Sequence, residues 1–328
     1  TLLGNVAGSS ITTGTDNAAF GKGALGAGVA SFYNTVIGTL ALASDTTGRH
    51  NVAVGRRTLT TQNITNSADT YNVAVGSDAG RLITTGIQNT LIGGLAGDAI
   101  TDADYNVAVG YSALSADTLG ARNVAVGQEA LASQNFTSAT DSYNTAVGMN
   151  AGKLVTTGTN NTLIGGLAGD ALTTGGDNTA VGRFALSSNT AATSNVAVGT
   201  DALLDFNVTS STATYNTAVG HHAGRLVSTG TLNTISGGLA GSALTTGYQN
   251  TVYGYGALST EDTGRLNTAI GTLALSSQNS DADNYNTAVG HHAGKAVTTG
   301  TLNTIVGGVA GDAITTGSEN AALGYESA

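Results

Sequence analysis

The chain has no cysteine, no proline, no tryptophan and a single methionine in 328 residues, and only 5% of it is aromatic. Without cysteine no disulfide can form, and an oxidising exterior poses no difficulty. Without bulky side chains, and with 48 glycines, there is too little volume to fill a wide core. A thin interior stretched over this length cannot be a sphere, so apolar burial has to come from stacking. Basic residues are scarce: 11 Lys and Arg stand against 21 Asp and Glu, a net charge of −10 with no basic stripe, which argues against nucleic acid. No apolar run approaches the roughly 18 residues of a transmembrane helix, and no signal peptide is visible, so membrane insertion is not expected.

What is abundant is one pentad, Asn-x-x-x-Gly, as in Asn72–Gly76 or Asn161–Gly165. From Asn17 it occurs 18 times at steps of 17 residues, interrupted by steps of 21, 21, 21 and 19. From Asn72 the longer steps group the coils in fours, giving modules of about 1–71, 72–143, 144–215, 216–285 and 286–328. So short a period sustained throughout reads as one repeat domain, a solenoid or stacked array. A disordered Gly/Thr linker is disfavoured by the regular alternation of β-branched and small residues.

Each pentad reads as a strand. In Val73-Ala74-Val75 the period of two puts both valines on one face and the alanine on the other. Gly76, Gly93, Gly110, Gly127, Gly148 and Gly165 end their strands, where a residue without Cβ permits positive φ or a close backbone approach. Asn72, Asn89, Asn106, Asn123, Asn144, Asn161, Asn178 and Asn195 open the coils, and identical amides stacked this way can bond along a ladder. A ligand contact at every Asn would require 18 equivalent sites. Ala recurs three residues after the Gly, and Thr-Thr-Gly turns such as Thr84–Gly86 close many coils.

Within a module the opening coil carries Arg81, Lys153, Arg225 or Lys295 where the next coil carries Asp98, Asp170, Ser242 or Asp312. Neighbouring coils would hold these about 5 Å apart, predicting register-fixing ion pairs Arg81–Asp98, Lys153–Asp170 and Lys295–Asp312, each contributing about 0–1 kcal/mol. The alternative is solvated surface charge. Long coils carry their extra residues just before an Asn, in polar loops ending at Tyr71, Tyr143, Tyr215 and Tyr285. Surface loops on a rigid scaffold commonly carry binding, so these are the candidate contact loops; a corner insertion with a packed Tyr is the plainer reading. Asn63, Asn135 and Asn207 lie in Asn-x-Thr sequons, whereas Asn279 does not.

Chemistry finds little purchase. The histidines are His50, His221-His222 and His291-His292, but the matching positions Ser77-Asp78 and Met149-Asn150 share no such chemistry. The GGLAGDAI segments lack the Gly-x-Asp spacing of calcium-binding nonapeptides, leaving calcium the weaker alternative to no cofactor at all. No P-loop, dinucleotide fingerprint, nucleophile elbow or catalytic dyad is present, and an enzyme is not expected.

The segment NTAVGHHAGKAVTTGTLNTIVGGVAGDAITTG, from Asn286 to Gly317, resembles the repeats of bacteriophage tail and capsid fibres. More distantly, it resembles the parallel β-roll heads of trimeric autotransporter adhesins. The similarity runs through the whole chain. Adhesin-head coils are shorter than 17 residues, so no residue roles transfer. The resemblance implies a homotrimeric β-roll or β-prism, long in one direction, on a virion or bacterial surface. Physics supports association independently, because a thin roll leaves an apolar strand face uncovered; a monomeric solenoid is the alternative. At about 4.8 Å per coil, 18 coils would span about 85 Å. Thr1–Gly4 aligns with Thr90–Gly93 and the last coil stops early, which predicts a segment of a longer fibre. The function expected is an all-β shaft that presents a host-binding tip. The alternatives are an adhesin head binding a cell-surface glycan or protein directly and, more remotely, an ice binder displaying Thr at its turns.

Overall fold

The computed structural model describes residues 1–327. It is an all-β parallel solenoid of about nineteen coils, and it falls into two compact units, Thr1–Asn161 and Thr162–Ala328. In the first unit Leu2–Leu3 starts a ladder that continues through Ala18–Phe20, Thr35–Ile37, Val52–Val54, Val73–Val75, Thr90–Ile92, Val107–Val109, Val124–Val126 and Thr145–Val147. Every pairing between successive members is parallel and in register, for example Ala53 opposite Ala74 and Ala74 opposite Leu91. The second unit stacks ten strands in the same manner, from Thr162–Ile164 to Ala321–Leu323. Short secondary pairings lie just before the ladder asparagines, such as Gly120–Ala121 with Thr140–Asp141, where a long coil returns to the stack.

The alternation has its small residue inside. Ala74, Ala108 and Ala125 are fully buried, while Val73, Val75 and their equivalents are half-buried or exposed. The coil is narrow, and where a strand alanine leaves room a far-side leucine fills it in many coils, as with Leu59, Leu114 and Leu131. Two coils per module put Gly at that far-side place, Gly80 and Gly97, and the space goes to Leu91 with Ile83 and Ile100. A Cβ on Gly80 would meet the Leu91 side chain at 2.7 Å. Two glycine coils followed by two leucine coils is the physical content of the four-coil module.

The far-side position is left-handed in both coil types, with φ 48° at Leu59, 50° at Leu131 and 57° at Gly80. A leucine there carries a backbone cost of roughly 1–2 kcal/mol. Complete burial of its side chain returns about 1.5–3 kcal/mol, so burial wins and the strained leucine is kept.

Candidate functional site

The asparagine ladder is a backbone device built from side chains. Asn72 Oδ1 accepts the backbone N–H of Asn89 at 2.9 Å, Asn89 Oδ1 that of Asn106 at 3.0 Å, and Asn106 Oδ1 that of Asn123 at 2.9 Å. In the short coils Nδ2 turns to a carbonyl fourteen residues on, such as Asn72 to Gly86 at 2.8 Å and Asn89 to Ala103 at 2.9 Å, whereas Asn123 and Asn195, which open long coils, turn theirs back to Ala121 and Thr193. Asn144 continues the ladder, accepting from Asn161 N–H at 2.9 Å. In the second unit Asn178 accepts from Asn195 N–H at 3.1 Å. All eight of these amides are buried. One residue thus closes its own coil and ties it to the next, satisfying groups that a bend would otherwise leave unpaired.

The strand-ending glycines share one geometry, with φ between 133° and 140° at Gly76, Gly93, Gly110, Gly127, Gly148 and Gly165. At Gly76 an added Cβ would stand 2.6 Å from the carbonyl carbon of Gly93, so both conformation and space demand glycine.

A buried acid fastens three of the four long loops, a feature the sequence reading missed. Asp45 lies fully buried in the coil before the first loop. Its Oδ1 accepts from Gly48 N and Ile64 N, each at 3.1 Å, and its Oδ2 from Gln62 Nε2 at 3.1 Å. Gln62 Oε1 then accepts from the ladder residue Asn72 at 2.9 Å. Seventy-two residues later Asp117, Gln134 and Asn144 repeat the network. Glu261, Gln278 and Asn286 form it in the second unit, with Asn284 adding a bond to Glu261 at 3.1 Å. The remaining module breaks both members together: Asn189 stands for the acid and Phe206 for the glutamine, both buried. Burial raises the carboxyl values of Asp45, Asp117 and Glu261, and the hydrogen bonds from the loop only partly oppose it. The available signal was the spacing, since acid and glutamine lie 17 residues apart at 72-residue intervals.

The loop-ending tyrosines all have left-handed backbone, with φ from 49° to 51°, and all four are about half exposed. They are not equivalent. Tyr71 stacks on His50 at 4.9 Å, and His50 on Tyr33 at 5.0 Å. Tyr143 faces the Arg122 guanidinium at 5.9 Å, which lies 4.7 Å above Tyr105. Such columns show solvent the edges of their rings. Tyr215 and Tyr285 are also exposed. The sequon asparagines Asn63, Asn135 and Asn207 are exposed, each accepting a bond at 2.9 Å from a threonine 17 residues earlier.

The charge pairs are where sequence and structure part. Arg81 reaches Asp98 at 3.8 Å, yet also lies 3.9 Å from Asp78. Burial raises the Asp98 carboxyl despite the Arg81 charge, so the pair is weak. Asp78 is better served: burial would raise its carboxyl, but Arg57 at 2.8 Å, with Ser77 and Arg56, outweighs it and holds the group below its ordinary value. Lys153 pairs with Glu129 of the preceding coil at 2.6 Å. The third expectation is corrected, because Lys295 and Asp312 line one shallow cavity without forming an ion pair among the described residues. A long side chain has a neighbouring coil on each side, and the sequence does not say which it will choose.

The histidine pairs stack on themselves, 3.7 Å between rings at His221-His222 and 3.8 Å at His291-His292. His222 meets Asp201 at 3.0 Å. The matching partner of His292 is Leu273, and burial, with His291 and Lys295, lowers the His292 value. Among the described residues no group of three or more His, Cys, Asp or Glu is placed to hold a metal ion, and no helix is long and apolar enough to cross a membrane.

The most uniform exposed feature is the outer face of the strands. Its first and third positions in all eighteen three-residue strands carry no charge at all, although the chain has 32 charged residues. Val, Ile and Thr dominate, and Ile37, Ile92, Ile164 and Val219 are each exposed. Compared with family models, curated proteins and solved structures, the chain matches none.

Proposed function

We propose that this chain is scaffold: the shaft of an extracellular or virion fibre, built from three identical copies that meet through the outer strand faces, and holding a host-binding element in place. The observation that carries the reading is the charge-free face. Charge keeps exposed sheet surfaces apart, and depletion of charge is the compositional mark of an interface centre. Val and Ile displayed at every coil would gain from being covered.

The occupant follows from the period. Only a surface that repeats at the pitch of the coil can meet each coil in the same way, and a second copy does so by construction. The Tyr-ended loops lie outside the strand positions, just before the ladder asparagines, and are the places left for contact with a host glycan or protein. The buried ladder and the fasteners serve the scaffold, and no catalytic role is assigned to any residue.

Mass in solution, measured by sedimentation or light scattering, tests this directly. Three copies per particle and rods in electron micrographs are expected. A monomer at micromolar concentration overturns the assembly.

A further inference from the structure

A strictly periodic face has a weakness: two copies can slide by one coil and lose little, because every coil offers the same residues. The second unit contains one departure from that monotony. At the third strand position its residues are Val or Ile, with Leu323 at the end, except at Ser236 and Tyr253. These two are direct neighbours across the parallel ladder, with Val219 beyond Ser236 and Ile270 beyond Tyr253. Their 72-residue counterparts are Ile164 and Val181, and before them Ile92 and Val109. Both positions changed, one to the smallest residue of the column and the other to the largest.

The result is a notch beside a projection. Ser236 leaves a shortfall of volume where the two preceding modules carry isoleucine. Tyr253 is 61% exposed, so its ring is not folded away against its own coil. Tyr255 leans over Gly238 in the same way that Tyr111 leans over Gly94 and Tyr325 over Gly308, and so is not particular to this module.

We infer that Tyr253 and Ser236 form a register key, the Tyr253 ring of one copy seating over the Ser236 notch of its neighbour. This rests on the association proposed above and adds to it which alignment the copies adopt. A tyrosine side chain is long enough to reach one coil level, about 4.8 Å, along a facing ladder. The match is self-complementary: one chain supplies both parts, and in a closed ring each copy gives a ring and receives one. Seated, the tyrosine fills the gap; one coil out of step, it abuts a branched side chain and leaves the notch empty.

The test uses a photo-crosslinking side chain at Val219, in a mixture of isotope-labelled and unlabelled chains so that only crosslinks between copies are scored by mass spectrometry. The native face should crosslink to a single coil of the neighbour. Tyr253→Val, which restores the residue of the other modules and so keeps the fold, should spread the crosslinks over adjacent coils at unchanged particle mass. Ser236→Ile should do the same. A single site that persists in both variants overturns the key but leaves the association standing, and so does a native face already spread over several coils. A monomeric native protein overturns both.

Discussion

Gln62 donates from Nε2 to Asp45 Oδ2 at 3.1 Å, and both side chains are fully buried. Equivalent pairs recur at Asp117–Gln134 and Glu261–Gln278, and where the acid is absent, at Asn189, the glutamine is absent too. The chain therefore carries its own comparison, two solutions to fastening a long loop within one protein.

Gln134→Phe alone should destabilise the first unit by about 1–3 kcal/mol, because it leaves the buried Asp117 carboxylate a donor short. Adding Asp117→Asn converts the site to the natural Asn189/Phe206 arrangement and should recover a large part of that loss. Thermal unfolding of the two variants checks the coupling. A double variant that melts no higher than Gln134→Phe would show that the two positions are independent.

The same acids give a pH dependence of definite sign. A carboxyl held above its unfolded value binds its proton more tightly in the fold, so ionising it costs stability. That cost is absent below the ordinary value of 3.8 for Asp45 and Asp117 and 4.5 for Glu261, and grows as pH rises through the raised folded values. These three groups should therefore favour the fold at acid pH near their ordinary values over neutral pH. In the Asp117→Asn/Gln134→Phe variant one of them is gone. The difference between its melting temperature and that of the parent should shift in the variant's favour as pH rises, and an unchanged difference would contradict the assignment.

At Leu131 the usual order of substitutions should vanish or reverse. Leucine to alanine in a core costs about 2–5 kcal/mol, and glycine normally costs about 0.5–1 kcal/mol more. Here φ is 50°, which alanine resists and glycine does not, and glycine fills the same place at Gly80 and Gly97. Leu131→Gly should melt no lower than Leu131→Ala. A clearly lower melting point for the glycine variant would mean that left-handed strain is not felt there.

Adjacent glycines should respond oppositely. Gly93→Ala places a Cβ on the Gly110 carbonyl at φ 134°, and should cost more than about 3 kcal/mol or prevent folding. Gly94→Ala meets the Tyr111 ring at 3.6 Å and the Ser77 carbonyl at 4.0 Å, both ordinary contacts, and should change stability by less than about 0.5 kcal/mol. Soluble yield and melting temperature of the pair provide the comparison.

The all-β solenoid, its coil length and its two invariant residues were legible because a stack in register imposes one residue type on one place. Asn72 and Gly76 announce themselves by recurrence. Which strand face lies inside was not legible, since alternation divides Val73 from Ala74 without saying which is buried; the narrow coil and the opposing Leu59 or Leu91 decide that. Asp45 reads as an ordinary loop residue because its burial depends on Gln62 and Ile64 of the following coil. Lys295 was assigned a pair with Asp312 that it does not make for a related reason: the period gives the distance between coils but not the direction in which a flexible side chain turns.

The asparagine ladder has a consequence for ancestry. Because Asn106 Oδ1 holds the next coil through a backbone N–H, and the same bond recurs at ladder steps such as Asn34–Asn51 and Asn233–Asn250, one coil can meet the next through it whatever its other residues are. Cutting the gene at two such ladder codons and rejoining it would leave that bond intact. Unequal recombination between near-identical segments could then lengthen or shorten the stack in quanta of four coils, about 19 Å each, turning a hydrogen bond into a unit of measurement.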